Sequence, residues 1–247
     1  NEKQKTFKLQ AKFIAMVVVE DIILRHDKRN ISSLRDYLPP DFCRQAAEKI
    51  LEHKGNAVLA TGFYIKSADA ATETDGPPGT IMLAKALEEL GYSTGIITDA
   101  AVYHTIKQCF DGKIHSFPVY KESDELNEKA VSDFIEAFKP SIAISIERCG
   151  RGRDGKYRNM RGEDISARTF PLDLIFMNGD LPSAAVGDGG NEIGMGNLYN
   201  KVLEHGVHHS PSIVGADELV ITSVSNWGAY GIVAYLSQMA GRNLFTL

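Results

Sequence analysis

The chain has 247 residues, 43% of them hydrophobic, and a net charge of −5. That balance argues against nucleic acid or an anionic membrane surface as a partner, and no apolar run approaches the roughly 20 residues of a membrane span. Three widely spaced cysteines, Cys43, Cys109 and Cys149, suit unpaired thiols in a reducing compartment better than a disulfide framework.

In chain order, residues 7–29 read as a long helix, with Leu9, Phe13, Met16, Val17 and Leu24 on one stripe. Ile14, Val18 and Ile22 form a second stripe beside it. Asp41 is placed to cap a helix over 42–53 that stops at Gly55. The period then changes. Residues 56–64 read as a buried strand, followed by a helix over 79–90 with Gly91 just past its end. A strand over 93–98, a helix over 101–110, a strand over 114–120, a helix over 122–138 and a strand over 141–146 follow. After a polar insertion come strands over 184–186 and 219–224, each with a helix behind it. This alternation predicts an α/β fold: a doubly wound, mainly parallel sheet flanked by helices. Residues 1–55 are expected as a helical N-terminal segment packed on one 1–247 domain. The sequence opens on Asn1 with no initiator methionine or signal-peptide pattern, so a processed or excised piece is expected.

In an open parallel sheet, ligands bind outside the carboxyl ends of the strands. The polar residues just after the predicted strands are Thr61-Gly62, Asp99, Glu147-Arg148, Asp188 and Ser225-Asn226, which places them along one edge. The densest stretch there runs from Gly187 to Gly196, where five glycines surround Asp188, Asn191 and Glu192. The spacing is not that of a dinucleotide fingerprint, and its acids repel a pyrophosphate. They suit a metal ion, a substrate ammonium or proton transfer; the plainer reading makes Glu192 a partner of the helix dipole.

Three further segments supply the edge. Glu73-Thr74-Asp75-Gly76-Pro77-Pro78-Gly79-Thr80 precedes a helix but lacks the Gly-Lys-Ser/Thr ending of a phosphate loop. Its amides remain candidates for a carboxylate or phosphate, against a plain Pro-Pro turn. Glu147-Arg148-Cys149-Gly150-Arg151 leads into Arg153, Lys156, Arg158 and Arg161. Arginine grips planar anions with paired hydrogen bonds, though such runs also form solvated loops. Ser225-Asn226-Trp227-Gly228 offers a helix N-cap in Ser225 and a substrate hydrogen bond from Asn226. His205, His208 and His209 are expected far from this edge and are not read as zinc ligands.

Together with Thr61-Gly62-Phe63, these segments resemble the D-glutamate cyclase family from about residue 40 to the end. The resemblance implies conversion of D-glutamate to 5-oxo-D-proline and water, a lyase reaction. It also implies a mitochondrial matrix location and an upstream domain in the same chain. For that chemistry Asp188 and Glu192 are expected as base and ammonium ligand, with Arg148 and Arg151 holding carboxylates. Gly76, Gly79, Thr80, Gly189, Gly190, Asn191 and Asn226 complete the expected substrate contacts. Glu73 and Asp75 form a second acidic pair, either as proton donor or, for Asp75, joining Asp188 around Mg²⁺ or Mn²⁺. No organic cofactor is expected. Two rival readings are a metal-dependent hydrolase of a small acidic metabolite and a non-catalytic domain that binds one.

Overall fold

The computed structural model describes residues 18–65, 71–118, 123–177 and 179–245. Six strands form one parallel sheet. They are β1 (Asn56–Thr61), β4 (Ser93–Asp99), β5 (Ile114–Phe117), β6 (Ile142–Ile146), β7 (Ser183–Gly187) and β8 (Glu218–Ile221). A small antiparallel pair, β2 (Tyr64–Ile65) and β3 (Ala71–Thr72), sits on the connection leaving β1. The fold is doubly wound α/β, as the alternation predicts. The sheet is buried on both faces, which is why β1, β6 and β7 read as nearly continuous apolar runs.

The helices are α1 (Val19–Ile23), α2 (Phe42–Glu52), α3 (Pro77–Glu89), α4 (Ala100–Lys107), α5 (Asp124–Phe138), α6 (Leu174–Met177), α7 (Tyr199–Glu204) and α8 (Ser225–Ala240). Helices α2, α3 and α8 pack together over one face. Helices α5 and α6 touch each other and belong to the β5–β6 and β6–β7 connections. Right-handed crossovers place them on the opposite face. The core is continuous through the sheet, with Leu59, Ile96, Ile97, Ile144, Leu83 and Leu87 wholly buried. Truncating one of them, such as Leu59 to alanine, is expected to cost about 2–5 kcal/mol.

The N-terminal helix differs from expectation. Most of the stretch 7–29, with Leu9, Phe13, Ile14, Met16 and Val17, lies outside the described residues. Its described part ends at Ile23, not Arg29. The reason is tertiary. The Ile23 carbonyl accepts hydrogen bonds from Ser223 N and Thr222 Oγ1 at the end of β8 (2.9 and 3.0 Å), so the chain leaves the helix there. Buried Glu20 fastens α1 by accepting from Cys43 N and Tyr235 Oη, both at 3.1 Å. A turn held by Asp27, which accepts from Arg29 N and Ser32 N at 2.9 Å each, then leads into a 3-10 helix, Ile31–Tyr37.

The chain fills β4 and β5 on one side of β1 before crossing to β6, β7 and β8 on the other. The winding therefore reverses between β1 and β6. Beyond the carboxyl ends of those two strands a crevice opens, the usual ligand position in such sheets.

Candidate active site

The crevice is lined with carboxyl groups. Glu147 directly follows β6, Asp188 directly follows β7, and Asp75 lies just before α3. One oxygen from each of these three lies within 4.8 Å of the others. Glu147 and Asp188 are 4% and 1% exposed. Glu73 and the fully buried Glu192 act on the same groups. Glu147 has φ +49°, a left-handed conformation that costs a non-glycine residue about 1–3 kcal/mol and is characteristic of functional sites. Gly76 lets the chains meet here. Its φ is +97°, and a Cβ on it would lie 2.7 Å from Glu147 Cβ and 2.8 Å from Thr61 Oγ1.

Two helix starts converge on the acids and cap each other. Asp75 accepts from Ser225 N (2.9 Å) and Asn226 N (2.8 Å), the first turn of α8, and from its neighbour Gly76 N (3.0 Å). Asn226 returns the interaction across to α3, accepting from Gly79 N (2.7 Å) and Gly76 N (3.2 Å) and donating to the Thr74 carbonyl (3.1 Å). The hydroxyl of Ser225 donates to Glu147 Oε2. Asp75 and Glu147 are therefore aimed by the positive end of a helix.

Among the described residues, positive charge at the cluster is scarce. Arg29, delivered by the turn after α1, pairs with Asp188 Oδ2 and is itself about one-third exposed (35%). Asp188 Oδ1, Glu192 Oε1 and Thr61 Oγ1 are buried with no hydrogen-bond partner among the described residues. Burial pushes the Asp188 carboxyl up to about 9, and the nearby Glu192 charge pushes the same way against the pull of Arg29. Burial, followed by the charges of Asp188 and Glu192, holds Glu147 well above the ordinary carboxylate range. Glu192 and Glu73 are raised too, each chiefly by burial. A carboxyl raised as far as Asp188 keeps its proton at neutral pH and can exchange it with a bound molecule.

The two arginines expected to hold carboxylates are placed otherwise. Arg148 is buried, and its terminal nitrogens pair with both oxygens of Asp99 (2.7 and 2.8 Å) and with the carbonyls of Gly62 (2.9 Å) and Phe170 (2.6 Å). Arg151 pairs with buried Asp173 through Nε (2.7 Å), Nη2 (3.2 Å) and its backbone N–H (3.1 Å). Tyr157 donates to the same Asp173 at 2.6 Å. Both arginines brace the long 147–173 connection, and neither guanidinium lies free at the acid cluster. The amides of Gly76 and Gly79 are likewise taken by Asn226, and Thr80 bonds back to the Gly76 carbonyl through N and Oγ1 (2.9 Å each). That helix start, expected as an anion cradle, is filled by the protein itself.

The glycine-rich turn does reach the crevice. Gly190 has φ +95° and packs against Val202 and His208, and its N–H donates to Glu192 Oε2 at 2.7 Å. His208, expected far from this edge, is buried behind the turn; its Nε2 meets the Asn159 carbonyl (3.1 Å) and its Nδ1 accepts from Ser210 N (3.1 Å). A Cβ on Gly189 would collide with Met160 Sδ at 2.1 Å. Asn191 donates to the Arg158 carbonyl at 2.9 Å and leaves Oδ1 buried without a partner among the described residues. Residues 148–150 and 191–193 bond to each other, which holds the two connections together over the strand ends.

A cavity of about 240 Å³ opens against the cluster, lined by Arg29, Phe63, Glu73, Glu147, Arg161 and Asn191 among others. It falls below the roughly 300–1,000 Å³ of drug-sized sites and suits a small metabolite. Arg161 has no ion-pair partner among the described residues. Arg29 went unrecognised in the sequence because it lay inside a predicted helix. Glu147 and Thr61 were marked by their strand-end positions but given no role.

Comparison with known proteins adds the lineage. A family model described as D-glutamate cyclase-like, C-terminal, matches residues 16–246. Human mitochondrial D-glutamate cyclase is 31% identical over 205 residues, covering 75% of this chain. The chain spans about a third (33%) of that relative's length. Solved structures overlap more faintly. A Rickettsia africae glycosyltransferase aligns at TM-score 0.36 and 13% identity over 68% of this chain and 42% of its own. A hypothetical protein from Xanthomonas campestris aligns at 0.37 and 12% over 82% and 91%. Neither likeness bears on the assignment.

Proposed function

The chain belongs to the D-glutamate cyclase-like family, and on that premise we propose that it closes D-glutamate to 5-oxo-D-proline with release of water. The observation that carries this reading is the charge pattern of the crevice. Five carboxyl groups, Glu73, Asp75, Glu147, Asp188 and Glu192, face one paired arginine among the described residues, Arg29, which lines the adjoining cavity together with Arg161. A small molecule with one ammonium and two carboxylates complements that pattern.

Ring closure forms a bond from nitrogen to the γ-carboxyl carbon and breaks one carbon–oxygen bond. Two protons leave the ammonium, and the departing oxygen gains two. The site must therefore accept protons from nitrogen and deliver protons to oxygen, with no net uptake. Mutually repelling buried carboxyls, some protonated and some ionised, meet both needs at neutral pH. In this reading protonated Asp188 and Glu147 are the proton donors. Glu73, at the cavity wall, takes the first ammonium proton, and a donor that has passed its own proton to the departing oxygen takes the second. Arg29 and Arg161 hold the substrate carboxylates and offset the charge that makes the γ-carboxyl a poor electrophile. Asn191 Oδ1, unpartnered at the wall, accepts from the amine. The walls must also fold the substrate so that nitrogen and carbon lie roughly 3 Å apart.

We further read residues 1–247 as one catalytic domain working in the mitochondrial matrix, as the name of the human relative suggests, with an upstream domain in the longer chain. NMR of the purified protein with D-glutamate and, separately, L-glutamate tests the activity. The proposal expects 5-oxoproline from the D-isomer. A folded protein that makes none from it would contradict the proposal.

A further inference from the structure

We propose that Asp75, Glu147 and Asp188 form a binding site for one divalent cation of the Mg²⁺ or Mn²⁺ class. This goes beyond the cyclase reading, in which Asp188 and Glu147 carry protons: the ion binds their ionised forms and displaces those protons, so it competes with the donor state. Three carboxylates bring an oxygen each within 4.8 Å of the others, the spacing of groups that share a cation rather than avoid one another. All-oxygen donor sets select hard cations, and Mg²⁺ is commonly held by few carboxylates while keeping several waters.

Two independent observations favour a cation here. The first is the set of buried atoms without a partner among the described residues: Asp188 Oδ1, in a residue 1% exposed, and Thr61 Oγ1, in a residue 0% exposed that borders Glu147 across Gly76. Glu192 Oε1, also wholly buried, is a third. Protein interiors rarely leave such acceptors unmet. The second is the shortage of positive charge. Among the described residues the cluster has one ion pair, to Arg29, whose side chain stands about one-third in solvent (35%). Buried carboxylates without compensation are strongly unfavourable.

The supporting bonds suit ligands held in place from behind. Asp75 is fixed by the N–H groups of Ser225 and Asn226, and Glu147 by the Ser225 hydroxyl, so α8 positions two of the three carboxylates. Arg29 meets the third and competes with the ion for Asp188.

The test is Mn²⁺ binding to the chelator-stripped chain without any glutamate, followed by electron paramagnetic resonance of free Mn²⁺ and by calorimetry. We expect a single saturable site in which Mg²⁺ competes. Glu147→Gln and Asp188→Asn should each weaken binding by tenfold or more, and Ser225→Ala by about tenfold. Arg29→Gln should tighten it, a change that general loosening of the fold does not produce. Asp164→Asn, an exposed acid outside the cluster, is the control. Circular dichroism and thermal melts confirm that each variant is folded. Absence of saturable binding at millimolar Mn²⁺ would overturn the proposal, as would binding that survives in folded Glu147→Gln and Asp188→Asn alike. Conversion of D-glutamate by a chain that binds no metal removes the cation site and leaves the cyclase reading standing. Metal binding without conversion does the reverse.

Discussion

Two neighbouring regions at the same sheet edge bury charge, and they do so in opposite ways. Around Arg148 and Arg151 each guanidinium meets a carboxylate through two hydrogen bonds, and Asp173 gains a third partner in Tyr157. Around Asp188 the acids outnumber their cation, four buried oxygens lack partners among the described residues, and a cavity opens alongside. The first arrangement is what a brace requires: each arginine's charge is matched by a carboxylate, and only Arg148 Nε is left buried without a partner among the described residues. The second is unfavourable until something positive arrives. Buried charge alone does not mark a site here; imbalance does.

Substitutions can break this contrast. The largest effect is expected at Glu147→Gln, which should lower turnover of D-glutamate by about 10²–10⁴-fold, the usual contribution of a proton-transfer group. Its far-UV circular dichroism should be unchanged. Next is Arg148→Met, which strands Asp99 without its cation and should destabilise by about 3–5 kcal/mol in urea unfolding. A loss below about 1 kcal/mol would mean the brace is not one.

The pH dependence separates the regions further. In the folded chain Asp188 holds its proton up to about 9, against an ordinary value of 3.8. Across that interval the folded state binds more protons than the unfolded state, so stability falls as pH rises. In chelator, wild type should lose stability relative to Asp188→Asn between those limits, with the difference narrowing below the lower one. Thermal melts across the range check the sign. Tyr157→Phe should cost about 1.5–3 kcal/mol, because its hydroxyl donates to a charged group. Asn226→Ala, which uncaps the start of α3, should cost about 1 kcal/mol.

The sequence made the sheet and its edge legible because burial on both faces leaves plain apolar runs, and glycines bracket each turn. Asp188 and Glu192 stood out for the same reason, since few structural turns need five glycines in ten residues. The pairing of the arginines is not legible in the sequence, because their partners are remote. Asp99 lies 49 positions from Arg148 and Asp173 lies 22 from Arg151, and nothing local announces either pairing. Arg29 was hidden by the apolar periodicity before it, which continues past the point where the Ile23 carbonyl turns to β8. The mutual capping of α3 and α8 was equally invisible, because Asn226 reaches Gly79 across 147 positions. Local pattern reports which groups reach an edge, while long-range pairing decides which of them remain available.

The central claim, that the unbalanced cluster is where the chemistry happens, is tested most directly by the rate of 5-oxoproline formation from D-glutamate in wild type and Asp188→Asn, followed by NMR on folded samples. The account predicts product with wild type and loss of nearly all turnover in the variant. A variant that is folded and still turns over at the wild-type rate would contradict it.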